Sequence, residues 1–181
     1  MFVLLDRDGV LNELVQSGYV THWTDFRWIP GSRRALAMLR DAGAAVAIVT
    51  NQAAVGKGLA SLDEVVALHA RMLVGLCPAP LSLKDVYVCP HVEEDGCDCR
   101  KPRPGLLLKA LHDHDQRAET SLFIGDTWRD AKAAQAAGIP FALVYTGNGR
   151  QEEAHIRADG VPFTGAFENL LSAVTYLLRK D

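Results

Sequence analysis

Five short apolar runs, at residues 2–5, 45–49, 85–88, 121–124 and 141–145, alternate with longer segments of helical character, and this alternation constrains the fold more than any other feature. Strands separated by helices cannot pair as tight hairpins. Each returns to the sheet through a crossover, so the strands run parallel and the helices cover both faces. The expected architecture is α/β: a Rossmann-like three-layer sandwich with a central parallel sheet, helices on both faces, a minimal cap and a zinc-binding loop at about residues 89–101. One domain over residues 1–181, with 49% hydrophobic residues, is expected to hold it. The first helix should start after Pro30-Gly31 and end near Gly43, with Leu36 and Leu39 inward. Ser61-Leu62-Asp63-Glu64 reads as a capping box, Pro104 suits a first helical turn, and Gly138 suits a helix stop. A last amphipathic helix should place Phe167, Leu170, Leu171, Val174 and Leu178 against the sheet.

Charge excludes several partners. The 19 basic and 22 acidic side chains give a net charge of -3 with no long basic run, so neither nucleic acid nor a membrane surface is an expected partner. No apolar run reaches spanning length, and Met1-Phe2-Val3-Leu4-Leu5-Asp6 lacks the basic start of a secretory signal. A cytoplasmic monomer is expected. Three of the four cysteines, Cys89, Cys97 and Cys99, fall close together with His91. Three thiolates and one imidazole form a closed tetrahedral zinc set. Free thiols or a disulfide would be the competing account of that spacing. The loop between them, Glu93-Glu94-Asp95-Gly96, has little apolar matter to order it, so a structural ion would replace a core there. Cys77 stands apart and reads as a small buried hydrophobe. His69 falls within a helix, His112 and His114 flank a helix end, and His22 and His155 fall in expected loops; none has a motif around it.

The polar clusters lie where strands end. Ligands of open parallel sheets bind beyond the carboxyl ends of the strands, and there the sequence puts Asp6-Arg7-Asp8-Gly9, Thr50-Asn51-Gln52, Cys89 onward and Gly125-Asp126. Asp6 and Asp8, two residues apart on an extended segment, face the same way. Taken alone, Asp6-Arg7-Asp8-Gly9 could be an Asp-rich strand end capping neighbouring N–H groups, and Thr50-Asn51-Gln52 a helix-entry cap.

Together and in this order, with Arg100-Lys101-Pro102 after the Cys/His cluster, they resemble the haloacid dehalogenase superfamily of aspartate-nucleophile phosphohydrolases, and within it the histidinol-phosphate and heptose-bisphosphate phosphatase group. The resemblance implies that Asp6 attacks phosphorus, that Asp8 protonates the leaving oxygen and then activates water, and that a catalytic Mg²⁺ is held by the Asp6 and Asp126 carboxylates and the Asp8 carbonyl. Asp130 would support the site. Two carboxylates beside a phosphate dianion repel one another, so a hard divalent cation makes physical sense there. A raised pKa would help Asp8 carry its proton. Thr50, Asn51 and Gln52 are expected to donate to phosphate oxygens. Lys101 is expected to stabilise the transferred phosphoryl group and Arg100 to read the rest of the substrate. Tyr19 and Lys57, in loops similar to those of the group, complete the expected substrate contacts. The implied substrate is a small sugar or polyol phosphate, with a heptose 1,7-bisphosphate favoured and histidinol phosphate the alternative. Val10, Lys57 and Thr127 depart from residues common in the group and leave the anomer open. A non-catalytic, zinc-stabilised phosphate-binding module is the reading from another class. It would gain nothing from two anions at the site.

Overall fold

The five apolar runs and one further segment form six parallel strands in the computed structural model, which describes residues 1–16, 18–76 and 81–179. They are β1 (Phe2–Leu5), β2 (Ala45–Asn51), β3 (Val86–Cys89), β4 (Ser121–Gly125), β5 (Phe141–Val144) and β6 (Gly165–Phe167). The connecting helices are α1 (Ser32–Asp41), the short α2 (Ala53–Gly56), α3 (Leu62–Val74), α4 (Gly105–Asp113), α5 (Trp128–Ala137), α6 (Gly149–Ala158) and α7 (Leu170–Leu177). Side-chain alternation divides the core in two. Val3, Leu5, Val46 and Ile48 face α1, α3 and α7, where Leu36, Leu39, Leu68, Met72 and Val174 are buried. Phe2, Leu4, Ala47, Val49 and Phe123 face α4, α5 and α6, where Leu107, Ala110, Ala134 and Ile156 are buried. β1 is buried throughout because it has a paired strand on each side and a helical layer on each face.

The strand order is β3-β2-β1-β4-β5-β6, that of the doubly wound dinucleotide-binding sheets. The direction of winding reverses between β1 and β4, and a crevice opens above their carboxyl ends. Leu5 pairs with Ile124, so the residues leaving these two strands emerge side by side. Helix ends follow local chemistry. Ser61 accepts from the Glu64 N–H while Glu64 accepts from the Ser61 N–H, closing the expected box on α3. Gly138 ends α5 at φ 71°, a left-handed conformation that glycine adopts without strain.

Three elements differ from expectation. Phe167 belongs to β6, not to the last helix, which begins only after Asn169 has capped it by accepting from the Ser172 N–H. Pro104 occupies the cap position one residue before α4. His155 lies in α6, whose polar sequence gives little apolar periodicity and buries only Ile156 and Gly149. The reading of Cys77 falls outside the described residues. Among the described residues no helix is long and apolar enough to cross a membrane.

Candidate active site

Asp6 extends the β1 ladder by one residue: its N–H donates to the Ile124 carbonyl at 3.0 Å, which holds it beside β4. Asp126 follows β4 directly, and Asp130 lies in the first turn of α5. One oxygen from each of the three carboxylates lies within 4.8 Å of the others. The Lys101 ammonium reaches into this group, 2.9 Å from Asp6 Oδ1 and 2.6 Å from Asp130 Oδ1, and donates to the Val49 carbonyl at 2.9 Å. The ammonium is thereby ion-paired with both carboxylates and hydrogen-bonded to the backbone of β2. Asp130 Oδ2 accepts from the Thr127 N–H and hydroxyl. Asp126 Oδ2 accepts from the Asn148 N–H at 2.8 Å, while its buried Oδ1 has no hydrogen-bond partner.

Three carboxylates against one ammonium leave two negative charges uncompensated in a buried place. The titration behaviour follows. Burial, with Asp130 and Asp8 nearby, pushes Asp6 up to about 7 against the pull of Lys101. Burial, then Asp130 and Asp6, holds Asp126 well above the usual carboxylate range. Burial opposes the Lys101 charge, but Asp130 and Asp6 outweigh it and hold the ammonium above its ordinary range. A deficit of two charges and a buried, unpartnered carboxylate oxygen fit one hard divalent cation with oxygen ligands. Two glycines keep Asp126 in place. A Cβ at Gly9 (φ 84°) or Gly147 (φ 61°) would collide with Asp126 Oδ2, and both backbones are left-handed.

Asp8 stands beside this group in a different environment. The fully buried Arg7 forks onto it, from Nε at 3.2 Å and from one terminal nitrogen at 2.8 Å to each carboxylate oxygen. Asn12 donates to Oδ1 at 2.9 Å and Gln52 to Oδ2 at 2.8 Å. Burial would raise Asp8, but the Arg7 guanidinium and the Asn12 and Gln52 hydrogen bonds outweigh it and hold the carboxyl below its ordinary range. The raised pKa that would help Asp8 carry a proton is thus not supplied by its protein surroundings, because Arg7 turns back onto its own neighbour. The other terminal nitrogen of Arg7 lies 2.9 Å from His69 Nε2. Burial and that guanidinium push His69 down to about 3.

Above these groups opens a cleft of 260 Å³ lined by Asp6, Asp8, Tyr19, Thr50, Asn51, Arg100, Lys101, Asp126 and Arg129. A larger hollow of 350 Å³, between Met1, Leu122, Pro140 and Tyr176, lies at the opposite ends of the strands and has none of this chemistry. Beside the cleft, Cys89, His91, Cys97 and Cys99 converge. Their sulfurs stand 3.7, 3.2 and 3.3 Å apart, and His91 Nδ1 lies 3.2 Å from Cys99 Sγ.

Residues 98–169 match the HAD-hydrolase-like family. The chain is 37% identical, over 95% of each sequence, to a D-glycero-beta-D-manno-heptose-1,7-bisphosphate 7-phosphatase of Pseudomonas putida. It is 41% identical, over 73% of this chain and 70% of the relative, to a D-glycero-alpha-D-manno-heptose-1,7-bisphosphate 7-phosphatase of Mycobacterium bovis. The crystal structure of D,D-heptose 1,7-bisphosphate phosphatase from B. bronchiseptica, complexed with magnesium and phosphate, superposes with a TM-score of 0.91 at 33% identity over 99% of both chains. The chain belongs to the haloacid dehalogenase superfamily of phosphatases.

Within this phosphatase the expected residues divide by what they touch. Asp6, Asp8, Lys101, Asp126 and Asp130 meet as expected. Thr50 and Asn51 line the cleft, but their side chains are engaged within the protein. Thr50 accepts from the Gln52 amide, and Asn51 brackets the Lys101 backbone, donating to its carbonyl at 3.0 Å and accepting from its N–H at 3.1 Å. Gln52 serves Asp8 and does not line the cleft. Tyr19 lines it, whereas Lys57 stands outside the lining with its ammonium 5.2 Å from the centre of the Tyr19 ring. Arg100 lines it while donating to the His91 carbonyl at 3.1 Å, which ties it to the cysteine loop. Arg7, Asn12, His69, Arg129 and Asn148 were not anticipated. Only Arg7 carried a signal: between two outward-facing aspartates it points inward, and a buried arginine needs acceptors.

Proposed function

We propose that this phosphatase removes the 7-phosphate of a D-glycero-D-manno-heptose 1,7-bisphosphate through an aspartyl-phosphate formed on Asp6. The observation that carries the chemistry is the set of buried carboxylates Asp6, Asp126 and Asp130 around one engaged lysine, with Asp8 alongside at the floor of the cleft. Similarity over nearly the whole chain to heptose-bisphosphate phosphatases supports the substrate. A carboxylate oxygen of Asp6 attacks phosphorus, the bond to the sugar oxygen breaks, and that oxygen takes the proton of Asp8. Asp8 then accepts a proton from water as it attacks the acyl phosphate, releasing inorganic phosphate and restoring Asp6. Lys101 fixes Asp6 and balances charge on the phosphoryl oxygens. Arg100 and Arg129 line the same cleft and suit the phosphate that is not cleaved. When bound by the Asp6 and Asp126 carboxylates, with the Asp8 carbonyl, Mg²⁺ supplies the missing two positive charges and orients the phosphoryl group.

The test is phosphate release from both anomers of the heptose bisphosphate, from hexose phosphates and from histidinol phosphate, with Mg²⁺ and with chelator. A heptose bisphosphate should give the highest kcat/KM, and chelation should abolish release. Preference for histidinol phosphate would move the substrate assignment while leaving the chemistry standing.

The cysteine loop is proposed to hold one structural zinc ion on Cys89, His91, Cys97 and Cys99. A tetrahedron with Zn–S bonds of about 2.3 Å has edges of about 3.8 Å; the Cys89–Cys97 separation of 3.7 Å matches it, and the separations of 3.2 and 3.3 Å to Cys99 are shorter. Burial pushes the Cys99 thiol up to about 12, so its thiolate form calls for a cation. Elemental analysis should find one zinc per chain in protein purified without added metal. Its removal should loosen residues 89–101 and lower activity, because Arg100 hangs on the His91 carbonyl and Arg103 on the Cys97 carbonyl. Full activity in zinc-free protein would sink the proposal.

A further inference from the structure

We infer that His69 is a positioning residue for the proton-transfer step: it fixes the Arg7 guanidinium, and through it the Asp8 carboxylate. This rests on the phosphatase reading above, and it concerns a residue with no motif around it. His69 lies on α3, 62 residues from Arg7 in sequence, and both side chains are fully buried. Guanidinium nitrogens only donate. The 2.9 Å contact therefore makes His69 Nε2 the acceptor and puts the ring proton on Nδ1, in a neutral imidazole.

The arrangement is directional. One terminal nitrogen of Arg7 is held by His69, while Nε and the other terminal nitrogen grip Asp8 and the Val20 carbonyl. A planar guanidinium fixed at two edges cannot swivel, so the carboxylate it forks onto cannot either. Val20 lies in the loop lining the cleft, so the same guanidinium also sets the wall facing Asp8. Without the imidazole acceptor, Arg7 keeps its charge but loses one of its two anchors. Asp8 would then present its proton to the leaving oxygen with poorer aim.

Such a loss depends on the leaving group. In forming the aspartyl-phosphate, a sugar alkoxide must take a proton as the P–O bond breaks, whereas an acidic phenol departs as phenolate. kcat/KM reports this first step, so it is measured for heptose bisphosphate or glycerol phosphate and for 4-nitrophenyl phosphate. General acid catalysis contributes about 10²–10⁴-fold, so His69→Met is expected to lower kcat/KM on the sugar phosphate about ten- to a hundredfold. The aryl phosphate should change less than about threefold, since no proton is needed there. His69→Gln, which restores an acceptor, should recover most of the difference. Equal losses on both substrates, or none, would overturn the inference and leave the phosphatase reading intact. A wild-type protein inert to both would overturn that reading and this one with it. Should His69→Met fail to fold, Arg7→Lys, which keeps the charge and breaks the fork, provides the same ratio.

Discussion

Asp6→Asn is expected to abolish turnover while leaving the protein folded. The amide is nearly isosteric but cannot form an acyl phosphate, and loss of a catalytic nucleophile lowers kcat on the order of 10⁴–10⁶-fold. Folding should survive because the substitution removes one of three mutually repelling buried carboxylates, which offsets the lost contact with Lys101. Two measurements check this. Acid quenching during turnover should trap a phosphorylated wild-type protein and none in the variant, and urea unfolding should give similar midpoints. Near-normal steady-state activity in the purified variant would remove Asp6 from its role.

Lys101→Met is expected to damage both activity and stability. The lysine side chain is only 3% exposed and pairs with Asp6 and Asp130. Breaking a buried pair by removing one partner costs about 3–5 kcal/mol, since uncompensated charge stays behind. Removing a group that balances charge in the transition state lowers kcat by about 10²–10³-fold. The two effects separate with metal: excess Mg²⁺ should return part of the stability, by binding the freed carboxylates, without returning kcat. A variant as stable as wild type in the absence of Mg²⁺ would contradict the charge argument.

The chain announced most of its sheet and half of its site. β1, β2, β4 and β5 were legible because central strands of a parallel sheet are apolar on both faces, as Val3, Leu4, Val46 and Ile124 are. β6 was not, since it has three half-buried residues at the sheet edge and runs into an apolar helix. Asn169 was the available sign that the helix starts later. In the site, Asp6, Asp8, Lys101, Asp126 and the cysteine loop could be found because each stands at a strand end or in a dense local motif. The second tier could not. Gln52 reaches Asp8 across 44 residues and His69 reaches Arg7 across 62, so the first contact exists only once β2 has paired with β1 and the second only once α3 has docked. Gln52 illustrates the limit: its neighbours suggested a phosphate contact, whereas its amide donates to Asp8 and Thr50.

The pairing of β1 with β4 at the centre of the sheet also determines when the site can come into being. Asp6 is made first, and Lys101 much later, but Asp126 and the Asn148 N–H that steadies it come later still. During synthesis, β1 can join β2 as soon as both have left the ribosome; its other edge stays open until β4 arrives. A nascent chain ending before residue 126 thus carries Asp6, Asp8 and Lys101 without the Asp126 carboxylate that completes their cluster, and it exposes a central strand edge throughout that interval. Hydrolytic activity should appear late in translation and abruptly, as a property of the completed sheet.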